Sequence, residues 1–207
     1  MNEEEAQGWC AAQFGTPALD RLRRYVDLLT AESERQNLIA PSTKEAMWTR
    51  HIVDSAQLLR LAVEPSAGAT WVDIGSGAGL PGLVIAAASN WSVVLIEPRR
   101  LRVAFLEAAA KDLDLDHRVT IIGRSADRVT LPKAAIVSAR AVAKTDRLFA
   151  DARGFAGLST VFLLPKGASA SVELENARQT WQGEFHVEHS LTDPAAGIIV
   201  ATQVRPR

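Results

Sequence analysis

The stretch Thr70-Trp-Val-Asp-Ile-Gly-Ser-Gly-Ala-Gly-Leu-Pro-Gly82 decides the fold of this chain. Its apolar start ends in Asp73, and three glycines follow at every second position, the first being Gly75. Glycine tolerates positive φ angles and lets a ligand approach the backbone closely. Residues 80–88 then have the pattern of a helix, so the glycines are expected in a loop at the carboxyl end of a strand. Open α/β sheets bind their ligands at this end.

A second acidic residue points to the kind of ligand. Glu97 follows the next predicted strand, about twenty residues after the first glycine, where a carboxylate can accept hydrogen bonds from both ribose hydroxyls of a nucleoside cofactor. Leu80 stands where a dinucleotide fingerprint has its third glycine. Asp73 would repel a pyrophosphate but suits a cation. S-adenosylmethionine is both a nucleoside and a cation, and the acid and glycine spacing is similar to that of class I methyltransferases.

Composition is typical of a soluble enzyme domain with a short appendage. The chain has 207 residues, of which 47% are hydrophobic, and a single cysteine, which leaves no internal disulfide and favours a reducing compartment. We find neither a leader pattern near Met1 nor a long apolar run, so we expect a cytoplasmic protein that does not associate with a membrane. The net charge of −1 excludes nucleic-acid binding through bulk positive charge.

Any contact with RNA therefore has to come from local basic patches. Two groups of residues are candidates, one after the second predicted strand and one after the fourth. For any one of these residues, a solvated helix face is the simpler interpretation. The groups are Arg99, Arg100 and Arg102, and Arg140, Lys144, Arg147 and Arg153.

Strands and helices alternate along most of the chain, which favours a mostly parallel sheet, and the two final strands favour an antiparallel hairpin. We therefore predict an α/β, Rossmann-like methyltransferase fold: a seven-stranded, mostly parallel sheet with an antiparallel last strand. An N-terminal helical appendage at 1–65 would precede the methyltransferase domain at 66–207. Strands are predicted at 70–74, 92–96, 118–122, 134–138, 159–164, 184–192 and 197–204, and helices at 2–13, 17–35, about 42–61, 80–88, 99–113, 144–155 and 171–181. Ser42 and Glu45 are spaced as a capping box for the third helix.

Several segments together carry a closer resemblance. They are Asn37–Ile39, Arg50–Ser55, the glycine loop with Leu80-Pro81-Gly82, Arg102–Leu106, Ser138–Ala141 and Pro165–Gly167. Over about residues 20–167, the chain resembles the ribosomal small subunit methyltransferase G family, also called glucose-inhibited division protein B. The resemblance implies methyl transfer from S-adenosylmethionine to N7 of a guanine in the 530 loop of 16S rRNA. The partner would be 16S rRNA within the small ribosomal subunit or its precursor, and nothing in the sequence requires more than a monomer.

The same resemblance implies the roles of individual residues. The implied cofactor-binding residues are Asp73, Gly75, Gly77, Leu80, Glu97, Ser125, Ala126 and Arg140, and the catalytic candidates are Arg140 and Lys166. Glu97 would hold the ribose, Ser125 and Ala126 would border the adenine, and Lys166 would meet RNA phosphate or the guanine edge. No metal is implied, because guanine N7 has a lone pair and no proton, so that positioning and electrostatics suffice.

Several interpretations stay open. Arg140 could instead be a surface residue paired with Asp146 or Asp151, and Lys166 a solvated lysine at a strand end. The segment with Arg50, His51 and Asp54 either covers the cofactor cleft or only docks the appendage. The residues that depart from the family pattern are Glu32, Leu101, Ala126 and Ala135. Alternative functions are a class I methyltransferase acting on another RNA or a small molecule, and a non-catalytic ribosome-binding module.

Overall fold

A seven-stranded sheet forms the centre of the protein, and the computed structural model describes residues 1–207. The strands are β1 (Thr70–Ile74), β2 (Ser92–Ile96), β3 (Val119–Ile122), β4 (Ile136–Ala139), β5 (Val161–Lys166), β6 (Trp181–His189) and β7 (Gly197–Pro206). Their order in the sheet is β3-β2-β1-β4-β5-β7-β6. The first five strands pair in parallel, whereas β7 is antiparallel to both β5 and β6. The predicted mostly parallel sheet with an antiparallel last strand is therefore confirmed.

Helices pack on both faces of this sheet. They are α1 (Glu3–Phe14), α2 (Thr16–Glu32), α3 (Asp54–Ala56), α4 (Gly82–Ala88), α5 (Arg100–Asp112), α6 (Thr145–Asp151) and α7 (Ala170–Ala177). Because side chains alternate across a strand, neighbouring residues of β1 enter different cores. Trp71 belongs to the core that includes residues of α1, α2, α4 and α5, and Val72 to the core that includes residues of α6 and α7. No helix of the protein combines the length and the apolar character needed to cross a membrane.

The N-terminal helices belong to the first of these two cores. Leu22 and Tyr25 of α2 are fully buried in the same apolar cluster as Trp71 and Leu83. The appendage therefore has no separate core in this structure, and the domain boundary between residues 65 and 66 stays a prediction.

Residues 41–61 do not form the single helix that the sequence predicts. The segment consists of a 3-10 turn at Pro41–Ala46, a π-helical stretch at Trp48–Val53, α3, and a 3-10 turn at Gln57–Leu61. The predicted capping box is absent, since no side chain caps the first turn. Instead, Glu3 of α1 accepts hydrogen bonds from the backbone N–H groups of residues 48 and 49 at 2.8 and 2.9 Å. Tertiary contact with α1 thus fixes this segment, which local sequence patterns do not reveal.

The last helix is shorter than predicted. It ends at Ala177, and β6 already begins at Trp181, where the sequence analysis placed the end of the helix. Trp181 is buried in the second core beside Phe149, with ring centroids 5.6 Å apart. Aromatic packing therefore favours a strand at Trp181 over a continued helix.

Candidate functional site

A cavity of about 850 Å³ opens at the carboxyl ends of the parallel strands. The appendage and the turn between β6 and β7 complete its walls. Six of the predicted site residues line it: Gly75, Gly77, Leu80, Glu97, Arg140 and Lys166. The structure thus brings together residues that lie far apart in the sequence. Asp73, Ser125 and Ala126 do not line this cavity.

The glycine loop forms one wall, and its shape depends on backbone angles that favour glycine. Gly75 and Gly77 have φ angles of 65° and 55°. The backbone N–H groups of Gly75 and Ser76 donate to the carbonyl of Ile96 at the end of β2. On the other side, the buried hydroxyl of Tyr25 donates to the carbonyl of Ala78 at 2.7 Å. The loop is therefore held from two directions before any ligand binds.

Glu97 lies beneath this loop with a carboxylate that is only 3% exposed. Its Oε2 accepts the backbone N–H of Gly77 and its Oε1 that of Arg99, each at 2.9 Å. Arg102 Nη1 is a more distant ion-pair partner, 3.9 Å from Oε2. An ionised carboxylate offers about four acceptor positions, so one hydrogen-bonding position remains on each oxygen. The two remaining positions match the two adjacent hydroxyls of a ribose.

Asp73 supports the loop from behind the cavity wall. Its Oδ1 accepts the hydroxyl of Ser138 at 2.7 Å, and its Oδ2 accepts the backbone N–H of Gly82 at 3.3 Å. Complete burial raises the pKa of Asp73 to about 6, against the opposing effect of these hydrogen bonds. The carboxylate is thus hydrogen-bonded to the start of α4 and to β4, and the expected position of Asp73 opposite a cationic ligand stays a prediction.

Ser125 and Ala126 follow β3, at the start of a single 3-10 turn. Ala126 is buried in the second core with Ile96 and Val129. Neither residue reaches the wall of the cavity, so the proposed contact with adenine stays a prediction.

Arg140 joins the end of β4 to the appendage. Its Nη1 donates to Asp54 Oδ2 at 3.2 Å and to the carbonyl of Arg50 at 3.1 Å. Its Nη2 lies 3.1 Å from His51 Nδ1. The alternative pairing with Asp146 or Asp151 does not occur. Arg140 is therefore a partly buried cation at the cavity wall, 18% exposed, whose orientation is set by the segment that carries the Arg-His-x-x-Asp motif.

His51 is held as a neutral imidazole in one tautomer. A guanidinium can only donate, so His51 Nδ1 accepts from Arg140, and Nε2 carries the proton and donates to Thr43 Oγ1 at 2.8 Å. Burial, and then the nearby charges of Arg140 and Arg50, lower the pKa of His51 to about 4. The ring of His51 lines the cavity and orients Arg140, so His51 both docks its segment and lies at the site.

Lys166 is neither solvated nor free. Its Nζ donates to the carbonyl of Ala143 and pairs with Glu173 Oε2, each at 2.8 Å, and its side chain is 9% exposed. Lys166 therefore anchors the loop that follows β4, and one of its three N–H groups remains for a ligand.

Two residues of this site escaped the sequence analysis as functional residues. Val142, in the loop after β4, lies directly over Gly75, where an added Cβ would come within 2.6 Å of Val142 Cγ2. The preceding residue, Ala141, has a φ angle of 55°. The second residue is Tyr25, the single tyrosine of the chain. Its position on an apolar helix face could have predicted a role, because a buried tyrosine hydroxyl usually has a hydrogen-bond partner.

No group of three or more His, Cys, Asp or Glu side chains is arranged to hold a metal ion. The expectation of no metal stays a prediction.

Comparisons with known proteins identify the family. A family model described as rRNA small subunit methyltransferase G matches residues 18–196. Ribosomal RNA small subunit methyltransferase G of Novosphingobium aromaticivorans is 49% identical, over 97% of this chain and 88% of that protein. The protein of the same name from Rhizorhabdus wittichii is 44% identical, over 100% of this chain and 95% of that protein.

The fold has solved counterparts among methyltransferases. The glycopeptide N-methyltransferase MtfA, in a crystal structure with S-adenosyl-L-methionine, superposes with a TM-score of 0.59 at 12% identity, over 74% of this chain and 94% of that chain. This likeness shows the methyltransferase fold, whereas the sequence matches show the family. The chain belongs to the rRNA small subunit methyltransferase G family.

Proposed function

We propose that this protein transfers a methyl group from S-adenosylmethionine to N7 of a guanine in the 530 loop of 16S rRNA. Family membership supports the reaction. The structural observation that carries the proposal is the cavity at the carboxyl ends of the strands, where the glycine loop and the buried carboxylate of Glu97 lie together.

The residues present fit the cofactor. Glu97 retains one acceptor position on each oxygen for the ribose hydroxyls, and Leu80 gives the cavity an apolar contact. When bound, S-adenosylmethionine supplies an electrophilic methyl group on a sulfonium. The protein has to hold the cofactor in one orientation, and the two-sided support of the glycine loop serves that purpose.

The acceptor makes few chemical demands on the protein. Guanine N7 carries an in-plane lone pair and no proton, so a general base is not required. Arg140 and Lys166 would act by positioning and by charge. Both line the cavity, and each is fixed by an acidic partner, Asp54 and Glu173 respectively, which suits an electrostatic role better than proton transfer.

The glycine loop and Glu97 form one half of the cavity, which we assign to the cofactor. The other half extends toward the appendage and the turn between β6 and β7. Arg50 and Asp193 meet there at 3.1 Å, both partly exposed, and Gly167 and Gly197 line the same region. We assign this half to the guanine, which has to leave its stack to enter a cavity of this kind.

The proposal includes the form of the substrate. Since the net charge is −1, binding to free RNA fragments should be weak, and we expect the small ribosomal subunit or its precursor to be the substrate. The enzyme would act as a monomer in the cytoplasm.

Two measurements separate this proposal from its alternatives. Calorimetric titration with S-adenosylmethionine should give a clear heat of binding, and its absence would favour a non-catalytic ribosome-binding module. Labelled methyl transfer should be faster to small subunits than to a short hairpin with the 530-loop sequence. Equal rates on both would overturn the choice of the assembled particle, and labelling of another RNA alone would overturn the choice of target.

A further inference from the structure

We infer that the RNA backbone next to the target guanine lies across the rim formed by Arg99, Arg100 and Arg124, at the carboxyl ends of β2 and β3. This inference rests on the proposed function and adds the surface that receives the RNA.

The fold brings the three arginines to one edge of the sheet. Strands β2 and β3 are parallel neighbours, and the backbone N–H of Glu97 donates to the carbonyl of Ile122 at 3.1 Å. Arg99 and Arg100 follow the end of β2, and Arg124 follows the end of β3. The loop after β3 lies beside α5, since a Cβ added to Gly123 would come within 3.7 Å of Val103 Cγ2.

The rim is charged and has no protein partner. All three side chains are exposed, and none takes part in a salt bridge or a side-chain hydrogen bond, although most arginines of this protein do. Leu101, which follows Arg100 in the chain, is 71% exposed. Exposed guanidinium groups that are free of carboxylates are suited to contact phosphates, because no internal ion pair has to be broken first.

The second basic group that the sequence offered is largely occupied. Arg140 pairs with Asp54, Arg147 pairs with Asp151 at 2.8 Å, and Arg153 lies over the ring of Trp181 at 5.3 Å. Lys144 alone is without a partner there.

The rim also lies beside the cavity. Arg99 lines the cavity itself, so a backbone that crosses the rim passes the entrance to the site. On the opposite wall, formed by the turn between β6 and β7, Arg50 is already paired with Asp193 at 3.1 Å. The unpaired arginines therefore favour the β2–β3 side for the phosphates.

The test compares two triple variants of equal charge in the full-length protein. The rim variant is R99A/R100A/R124A, which keeps the backbone N–H of Arg99 that holds Glu97. The control is R23A/R60A/R205A, three exposed arginines that do not line the cavity. Methyl transfer to small subunits is measured over a range of salt concentrations, together with the Kd for S-adenosylmethionine.

For the rim variant we expect the KM for subunits to rise by about tenfold or more. The plot of log(1/KM) against log salt concentration should also become less steep by about two, because three phosphate contacts are lost. The Kd for S-adenosylmethionine is compared for R100A/R124A, which leaves the cavity lining unchanged, and should stay within about twofold of the wild-type value. If the rim and control variants show the same KM and the same salt slope, the inference is overturned while the proposed function stands. If the wild-type protein itself does not methylate subunits, the proposed function fails.

Discussion

Asp54 Oδ2 lies 3.2 Å from Arg140 Nη1, and this ion pair links the N-terminal appendage to the end of β4. The other oxygen of Asp54 accepts hydrogen bonds from Gln57 Nε2 and Thr192 Oγ1, each at 3.1 Å. One carboxylate therefore holds three separate segments around the cavity, which makes the appendage part of the site.

Replacing Asp54 by alanine should destabilise the protein and impair catalysis. The pair is about one-fifth exposed, so we expect the free energy of unfolding to fall by about 2 kcal/mol, less than for a fully buried pair. The exposed pair of Arg50 and Asp193 supplies the control, and Asp193→Ala should cost less than about 1 kcal/mol. Urea unfolding of both variants tests this, and equal losses would contradict the role assigned to Asp54.

Replacing Glu97 by alanine should weaken cofactor binding. Loss of charged hydrogen bonds to the ribose is expected to cost about 1.5–3 kcal/mol of binding free energy. Glu107→Ala, an exposed change on α5, is the control. Calorimetric titration with S-adenosylmethionine measures both variants, and an unchanged Kd for Glu97→Ala would remove the ribose assignment.

Gly75 and Val142 should be energetically coupled. In Gly75→Ala the new Cβ would collide with Val142 at 2.6 Å, and the φ angle of 65° would add strain of about 1–2 kcal/mol. Adding Val142→Ala removes the colliding γ carbons but leaves the strain. We therefore expect the double variant to be at least about 1 kcal/mol more stable to urea than the sum of the single changes. Strictly additive effects would show that the loop after β4 does not rest on Gly75.

The pH dependence of stability should reveal His51. Its pKa is lowered from 6.5 to about 4 in the folded protein, so the unfolded chain binds more protons between these values. The stabilisation is therefore complete above pH 6.5 and is lost as the pH falls toward 4. We therefore expect the free energy of unfolding of the wild type, measured by urea unfolding, to fall between pH 7 and pH 5 by about 2 kcal/mol more than that of His51→Gln.

The comparison with the variant is needed because Asp73 acts in the opposite sense. Its folded pKa of about 6 lies above the ordinary value of 3.8, so its contribution is present below pH 3.8 and is lost as the pH rises through 6. Asp73 is common to both proteins and cancels in the difference. Equal slopes of stability against pH for the two proteins would contradict the neutral, hydrogen-bonded His51.

The sequence predicted the features that depend on local pattern. Strand and helix alternation predicted the sheet, and the spacing of Gly75, Gly77 and Glu97 predicted one wall of the cavity. These features were accessible because glycine angles and strand ends leave a signal within a few residues.

Tertiary partners left no such signal. The sequence does not show that Glu3 binds the start of the π-helical stretch, that Asp54 pairs with Arg140, or that Asp73 accepts the hydroxyl of Ser138. Each of these depends on residues that are distant in the chain. The spacing of Ser42 and Glu45 was misleading for the same reason, since packing on α1 decided the local geometry.

The most direct test of the central claim is to map the base that this protein methylates. Small subunits from a strain without the enzyme would be incubated with the protein and S-adenosylmethionine, and their 16S rRNA analysed by cleavage specific for N7-methylguanine. We predict one modified guanine, in the 530 loop. Methylation at another position, or none by a protein that binds the cofactor tightly, would contradict the proposed function.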